Sequence, residues 1–353
     1  MKYFISTVLI STLAVSATPG LVLDVAGPES VVDILSLNVK VTLKNTGDET
    51  LKLLNDPRSV LSKARTNTFA ISSAIGSPAF TGIKLKYVPS NAAALNKEGT
   101  FTVLTPGQSL DITHSLAGVY NFTQIGEGSY NFGAANVFHY LDDSGELQTI
   151  EANTNTHQFK IAGKLAAGNN YTSALSKRTV AYTKCSQAQK PKIAAAAKAS
   201  NQYVSKVKAY FASHTSGTTR YKTWFGAFDA NRHKAVVNHF KNIGNDATST
   251  NYDCDACKHE PGIDYEGTYA YVHAGSPGKI YLCGAFWKAP LTGTDSRAGT
   301  IVHENSHFTV NGGTDDHVYG QTAAKALARS HPVQAIDNAD NHEYFAENHP
   351  ALP

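Results

Sequence analysis

The chain has 353 residues, 42% hydrophobic and 17% charged, with a formal net charge of +3. That length supports two globular domains with real cores. The small net charge and the absence of long basic runs give no argument for binding nucleic acid or an anionic membrane.

The chain opens with "MKYFISTVLISTLAVSATPG". Lys2 is a short basic region, Tyr3 to Val15 is mostly apolar but too short to span a bilayer, and Val15-Ser16-Ala17 offers small residues for cleavage. A secretory signal over residues 1–17 is expected, removed after Ala17. No later segment is apolar enough to span a membrane.

Residues 18 to about 160 read as antiparallel β. "LNVKVTLKN" alternates and ends in an Asn-Thr-Gly turn; "GIKLKYVP", "GTFTVLTPG" and "GSYNFGAANVFHYL" continue the pattern. Short strands punctuated by Gly, Pro and Asn predict a small sandwich. Asn121 and Asn170 head N-x-Thr sequons and are expected glycosylation sites in a secreted chain.

The pattern thins near "AAGNNYTSALSKRTVAYTKC". Lys177-Arg178 is a dibasic pair between a cysteine-free half and a half carrying Cys185, Cys254, Cys257 and Cys283. A pro-region over 18–178 is expected, cut between Arg178 and Thr179. An even cysteine count in an exported chain predicts two disulfides. No cysteine precedes Cys185, so a pro-region thiolate on a metal is excluded.

The second half reads as helix-rich. A helix is expected over about 187–214, with Ile193, Val204, Val207, Tyr210 and Phe211 on one face, and another over "DANRHKAVVNHFKNI". "GTYAYVHAG" and "GKIYLCGAFW" read as strands. Helices follow at the "HENSH" segment, at "YGQTAAKALARS" and near "PVQAIDNADNHEYFAE". The fold class is therefore α+β, with a helix-rich second half after an antiparallel β-rich one.

His303 and His307 are four apart, which places both on one helix face and lets them share a zinc ion. Glu304 beside them is placed to deprotonate the attacking water and pass the proton to the leaving amine. The third ligand stays open at this point. A histidine six residues after His307 is absent, because position 313 is Gly, and Met1 is the only methionine, so no methionine turn exists. Glu343 and Glu347 lie on a downstream helix. Asp315 and Asp316 return by a shorter path through Gly312-Gly313, with His317 beside them. The same aspartates could instead cap the helix that follows.

"HENSH" followed by "GTDDHVYG" resembles the fungal deuterolysin-like aspzincin metallopeptidases, and within them the peptidyl-Lys metalloendopeptidases. "RYKTWFGAF", "YLCGAFWKAP", "GTDSRAGTIVHE" and "NADNHEYFAEN" extend the resemblance over about residues 182–353. It implies a zincin catalytic domain over 179–353 that binds one Zn2+ through His303, His307 and Asp316. It implies Glu304 as general base and Tyr319 as a donor to the oxyanion. It also implies the pairings Cys185–Cys254 and Cys257–Cys283. Asp340 and Glu343 become the groups that bind a substrate lysine, with the cut before that lysine. The implied protein is a secreted zymogen whose partners are lysine-containing peptides and proteins and its own propeptide, with no nucleic acid and no membrane after signal removal. A broader deuterolysin-type protease is the alternative, and a secreted non-catalytic binding protein a distant one.

Overall fold

The computed structural model describes residues 19–166 and 180–353. The expected signal segment, the Asn170 sequon and the Arg178-Thr179 cut lie outside the described residues.

The first half is a β structure built from four-stranded sheets. Strand Asn38–Asn45 alternates as predicted, burying Val39, Val41 and Leu43 while Lys40 and Lys44 face out. It pairs antiparallel with Leu21–Ala26 on one side and Ser109–Ser115 on the other. Ile71, Phe132, Phe159 and Ile161, from a sheet ordered Ser30–Asp33, His157–Lys164, Gly128–Ala134, Phe69–Ser72, belong to the same core. Each such side chain removed from water contributes about 1.5–3 kcal/mol. The antiparallel expectation needs one correction. Leu21–Ala26 pairs parallel with Asn153–Thr154, and His157–Lys164 pairs parallel with Ser30–Asp33. Residues distant in sequence meet there, so no hairpin turn announces the pairing.

In the second half, helix Gln189–Ser213 buries Ile193, Ala196, Ala197, Val204, Val207 and Phe211 on one face. Helix Ala230–Ile243 follows, capped by Asp229, whose side chain accepts from the Arg232 N–H. Two helices pack against each other to carry the site, Arg297–His307 and Ala339–Glu347. The segment expected as one helix near 332–347 breaks into Pro332–Ala335 and Ala339–Glu347. "GKIYLCGAFW" also divides: strand Lys279–Leu282 ends before Cys283, and Gly284–Lys288 is helical.

Disulfides Cys185–Cys254 and Cys257–Cys283 form with Cα–Cα separations of 5.0 and 5.5 Å. In a chain-entropy account, closing the 26-residue and 69-residue loops contributes about 3.5 and about 4.4 kcal/mol.

The second half carries a five-stranded sheet: Ala181–Thr183, Asn251–Asp253, Lys279–Leu282, Thr268–Val272 and, outermost, Lys84–Tyr87. The fifth strand comes from the first half. It runs antiparallel to Thr268–Val272, with Ala270 opposite Lys86 and Tyr271 opposite Leu85. "GIKLKYVP" is thus a strand as expected, but it extends the other half's sheet. It closes an edge that would otherwise expose unpaired backbone groups.

Candidate active site

The helix Arg297–His307 starts at Ser296, whose Oγ accepts from the Gly299 N–H at 2.9 Å. Loss of such a cap typically costs about 1 kcal/mol. Ala298 to His307 are all buried, so the two histidines and Glu304 project into the interior. The helix stops at Phe308, whose carbonyl accepts from the N–H groups of Asn311, Gly312 and Gly313. Gly313 adopts φ 64°, a conformation glycine takes without steric cost, and the chain doubles back.

The return brings Asp316 to the histidines. Its Oδ1 lies 3.3 Å from His303 Nε2 and 3.4 Å from His307 Nε2. All three atoms are buried without a hydrogen-bond partner. Two donors each about 2.0–2.1 Å from a tetrahedral zinc stand roughly 3.3 Å apart, so these residues fit the ion. The surrounding contacts set the ligand state. Thr314 O can only accept, so His307 Nδ1, 2.8 Å away, carries the proton and leaves Nε2 free to ligate. His303 Nδ1 lies 2.9 Å from Asp340 Oδ1.

The other candidates for third ligand sit elsewhere. Asp315 Oδ1 accepts from the Asp316 N–H, and its Oδ2 accepts from Asn67 in the first half. His317 turns to Asp337, Nε2 to Oδ2 at 2.9 Å. Glu343 lies beside His303 Nδ1, on the far side of the ring from Asp316. Glu347 accepts from Ser296 N–H and Oγ at the helix start. Neither aspartate caps the next helix: Gln321–Ser330 begins at Gly320 without a side-chain cap, and the Gly320 N–H donates to Asp340 Oδ2.

Glu304 and Tyr319 flank this centre, and a peptide of the first half lies between them. Glu304 Oε1 accepts from the Lys86 N–H at 3.0 Å, and Oε2 is buried without a partner. Tyr319 OH donates to Leu85 O at 3.0 Å. Burial and the Asp316 charge hold the Tyr319 phenol well above its usual range, so it remains a donor.

Beyond the same peptide lies an acidic pocket. Lys86 Nζ, fully buried, is 3.0 Å from Asp295 Oδ1, 3.0 Å from Asp340 Oδ1, 2.9 Å from Glu343 Oε2 and 3.2 Å from Tyr344 OH. The Tyr344 ring also faces the ammonium at 4.7 Å. Burial opposes the charge on Lys86, but Asp340 and Glu343 prevail and raise its pKa well above the usual lysine value. Asp340 joins the two parts of the site, its Oδ1 facing both His303 Nδ1 and the ammonium. Sequence reasoning missed Asp295, Tyr344 and Lys86. Asp295 and Tyr344 stand inside quoted motifs without a role, and nothing in the sequence marked Lys86. Asn121, the described sequon, is half-buried, and its Oδ1 accepts from the N–H and hydroxyl of Thr123.

A family model described as "Lysine-specific metallo-endopeptidase" (Aspzincin_M35) matches residues 210–347. A peptidyl-Lys metalloendopeptidase of Grifola frondosa is 49% identical over 342 residues, covering 96% of each chain. The chain belongs to the lysine-specific metallo-endopeptidase family. A second peptidyl-Lys metalloendopeptidase, from Armillaria mellea, is 48% identical over 353 residues, 99% of this chain and 98% of that one. A solved zinc peptidase from Grifola frondosa is 50% identical and covers 48% of this chain and all of its own, with a TM-score of 0.45.

This aspzincin is a zinc metalloendopeptidase. Bound zinc acidifies water and polarises a peptide carbonyl. Glu304 is buried with Oε1 beside the Lys86 peptide nitrogen and Oε2 unpartnered. Tyr319 holds a neutral phenol donor on the Leu85 carbonyl oxygen.

Proposed function

We propose that this protein is a secreted endopeptidase that cuts peptide bonds on the N-terminal side of lysine. His303, His307 and Asp316 hold the zinc, Glu304 is the base, Tyr319 supports the oxyanion, and Asp340 and Glu343 bind the substrate ammonium. The observation that carries this reading is the buried ammonium of Lys86 among three carboxylates and a tyrosine, one residue past a carbonyl held by Tyr319. Buried carboxylates left without a cation would cost several kcal/mol, so an apolar side chain is rejected. The acceptors surround a point charge, which suits an ammonium better than the planar fork of arginine. Asp295 belongs to the same pocket.

The precursor is read as a signal over 1–17, a β-rich propeptide over 18–178 and a catalytic domain over 179–353. Two disulfides suit an oxidising compartment. No helix among the described residues is long and apolar enough to cross a membrane.

The test uses chain processed at Arg178 on a mixed peptide library, with new N termini sequenced. Nearly all should begin with Lys. Asp295→Asn keeps clear of His303, and Glu343→Gln removes a charge in direct contact with the ammonium. Each should lower kcat/KM at lysine by about 3 kcal/mol, on the order of 10²-fold, and Asp295→Asn should do so with zinc content unchanged. Broad cleavage by the wild type, or unaltered lysine turnover in both variants, refutes the pocket.

A further inference from the structure

The first half presents a complete substrate contact set to this site. Lys84–Tyr87 pairs antiparallel with Thr268–Val272, so the peptide is held extended by backbone bonds. The Leu85 N–H donates to Asp316 Oδ2 at 2.9 Å. Leu85 O receives the Tyr319 hydroxyl, the Lys86 N–H meets Glu304, and the Lys86 ammonium fills the acidic pocket. The carbonyl and the nitrogen of one peptide bond therefore each face the group that bond cleavage requires. The lysine lies just C-terminal to that bond. Lys84, two residues earlier, is held outside the pocket by Thr314 O at 2.6 Å, which fixes the register. A strand slipped by one residue would lose every one of these contacts.

We propose that Lys84–Tyr87 keeps the precursor latent as a tethered substrate, and that Leu85–Lys86 is a bond the chain cleaves in itself. This rests on the lysine-directed reading above. In the step, water adds to the Leu85 carbonyl carbon and the bond from that carbon to the Lys86 nitrogen breaks. Leu85 ends as a carboxylate and Lys86 as a free amine, with Glu304 carrying the proton from water to that nitrogen. Cleavage leaves the ammonium in its pocket and the Lys86–Tyr87 pairing in place, so the new N terminus still blocks the site. Full activity then requires loss of the whole propeptide.

The test uses the full precursor. Zinc-loaded wild type should yield fragments with a new N terminus at Lys86, at a fractional rate unchanged by tenfold dilution, and Glu304→Ala should yield none. A zinc-loaded precursor that stays intact at Leu85–Lys86, while processed enzyme cuts added peptides before lysine, overturns the self-cleavage and spares the proposed function. Processed enzyme that ignores lysine refutes the proposed function itself.

A second readout needs no turnover. A fluorescent Ala-Lys-Ala peptide should bind zinc-free Lys86→Ala precursor at least tenfold more tightly than zinc-free wild type. Equal binding overturns the tethered-substrate role. Lys86→Arg retains a cation should Lys86→Ala fail to fold, and the same tightening is expected of it, because the fork fits the pocket poorly.

Discussion

At the scale of single residues, His342 shows how the interior constrains protonation. It lies one position from Glu343, buried between Phe225 and Phe240. Its Nδ1 donates to Asn338 O at 3.0 Å, so its Nε2 accepts from His239 Nδ1, also at 3.0 Å. Burial first, then His239, pushes its pKa down to about 3. The folded chain therefore keeps His342 neutral, while the unfolded chain protonates it below about pH 6.5. The sign is destabilising in acid: the contribution is intact above about pH 6.5 and is lost as pH falls from there toward 3. One proton corresponds to about 1.4 kcal/mol per pH unit. In zinc-free full-length chain, urea midpoints from pH 7.5 to 5 should fall less steeply for His342→Asn than for wild type, by one proton's slope. Parallel curves would contradict this. Sequence spacing does not reveal this environment, because the rings that contact His342, Phe225 and Phe240, come from distant parts of the chain.

At the scale of elements, the packing of Arg297–His307 against Ala339–Glu347 depends on Gly299. A Cβ there would lie 2.0 Å from Glu347 Oε1 and 3.0 Å from Glu343 Oε1. The glycine weakens its own helix but lets the pocket helix approach. Gly299→Ala should destabilise the protein by about 1–3 kcal/mol through overpacking. It should also raise KM for lysine substrates, since the displaced carboxylates anchor the helix start and the ammonium. Thermal melts and steady-state kinetics check both; a variant as stable as wild type, gaining an alanine in a helix at no cost, would show that the contact yields freely. The motif helix itself was legible, because spacing of four residues is a local property of helices. The break between Pro332–Ala335 and Ala339–Glu347 was not. It is held by tertiary bonds, in which Asn338 Oδ1 accepts from the N–H groups of His317 and Val318.

At the scale of the whole molecule, the two halves interlock around the site. Arg58 donates to His317 O at 2.9 Å and stacks over the Tyr319 ring at 4.5 Å, and Arg65 pairs with Glu260 at 2.8 Å. Leu85 and Tyr87 share a hydrophobic cluster with Tyr271, Tyr319 and the Cys257–Cys283 pair. With zinc held as proposed by His303, His307 and Asp316, whose facing atoms are buried without partners, zinc binding and stability should be strongly coupled. Zinc at 100 times its Kd should stabilise the full-length chain by about 2.7 kcal/mol, and a chelator should remove that gain. Metal analysis should give one zinc per chain, lost in His303→Ala. An unchanged melting midpoint after chelation, or retained zinc in the variant, would dismantle the three-ligand centre.

The sequence alone determined what depends on neighbours along the chain: the alternating strands, the amphipathic helices, and His303, Glu304 and His307 on one helix face. It left Asp315 and Asp316 tied until the motif resemblance favoured Asp316. The fold separates them physically: Asp316 turns inward to two unpaired imidazole nitrogens, and Asp315 turns outward to Asn67. Only the tertiary structure decided that Asp295 and Tyr344 complete the pocket and that Lys86 fills it. Those contacts join residues 209 and 258 positions apart, brought together by strand addition between the two halves. Backbone pairing of that kind depends on which edge lies open in the folded molecule, and no local residue pattern encodes it.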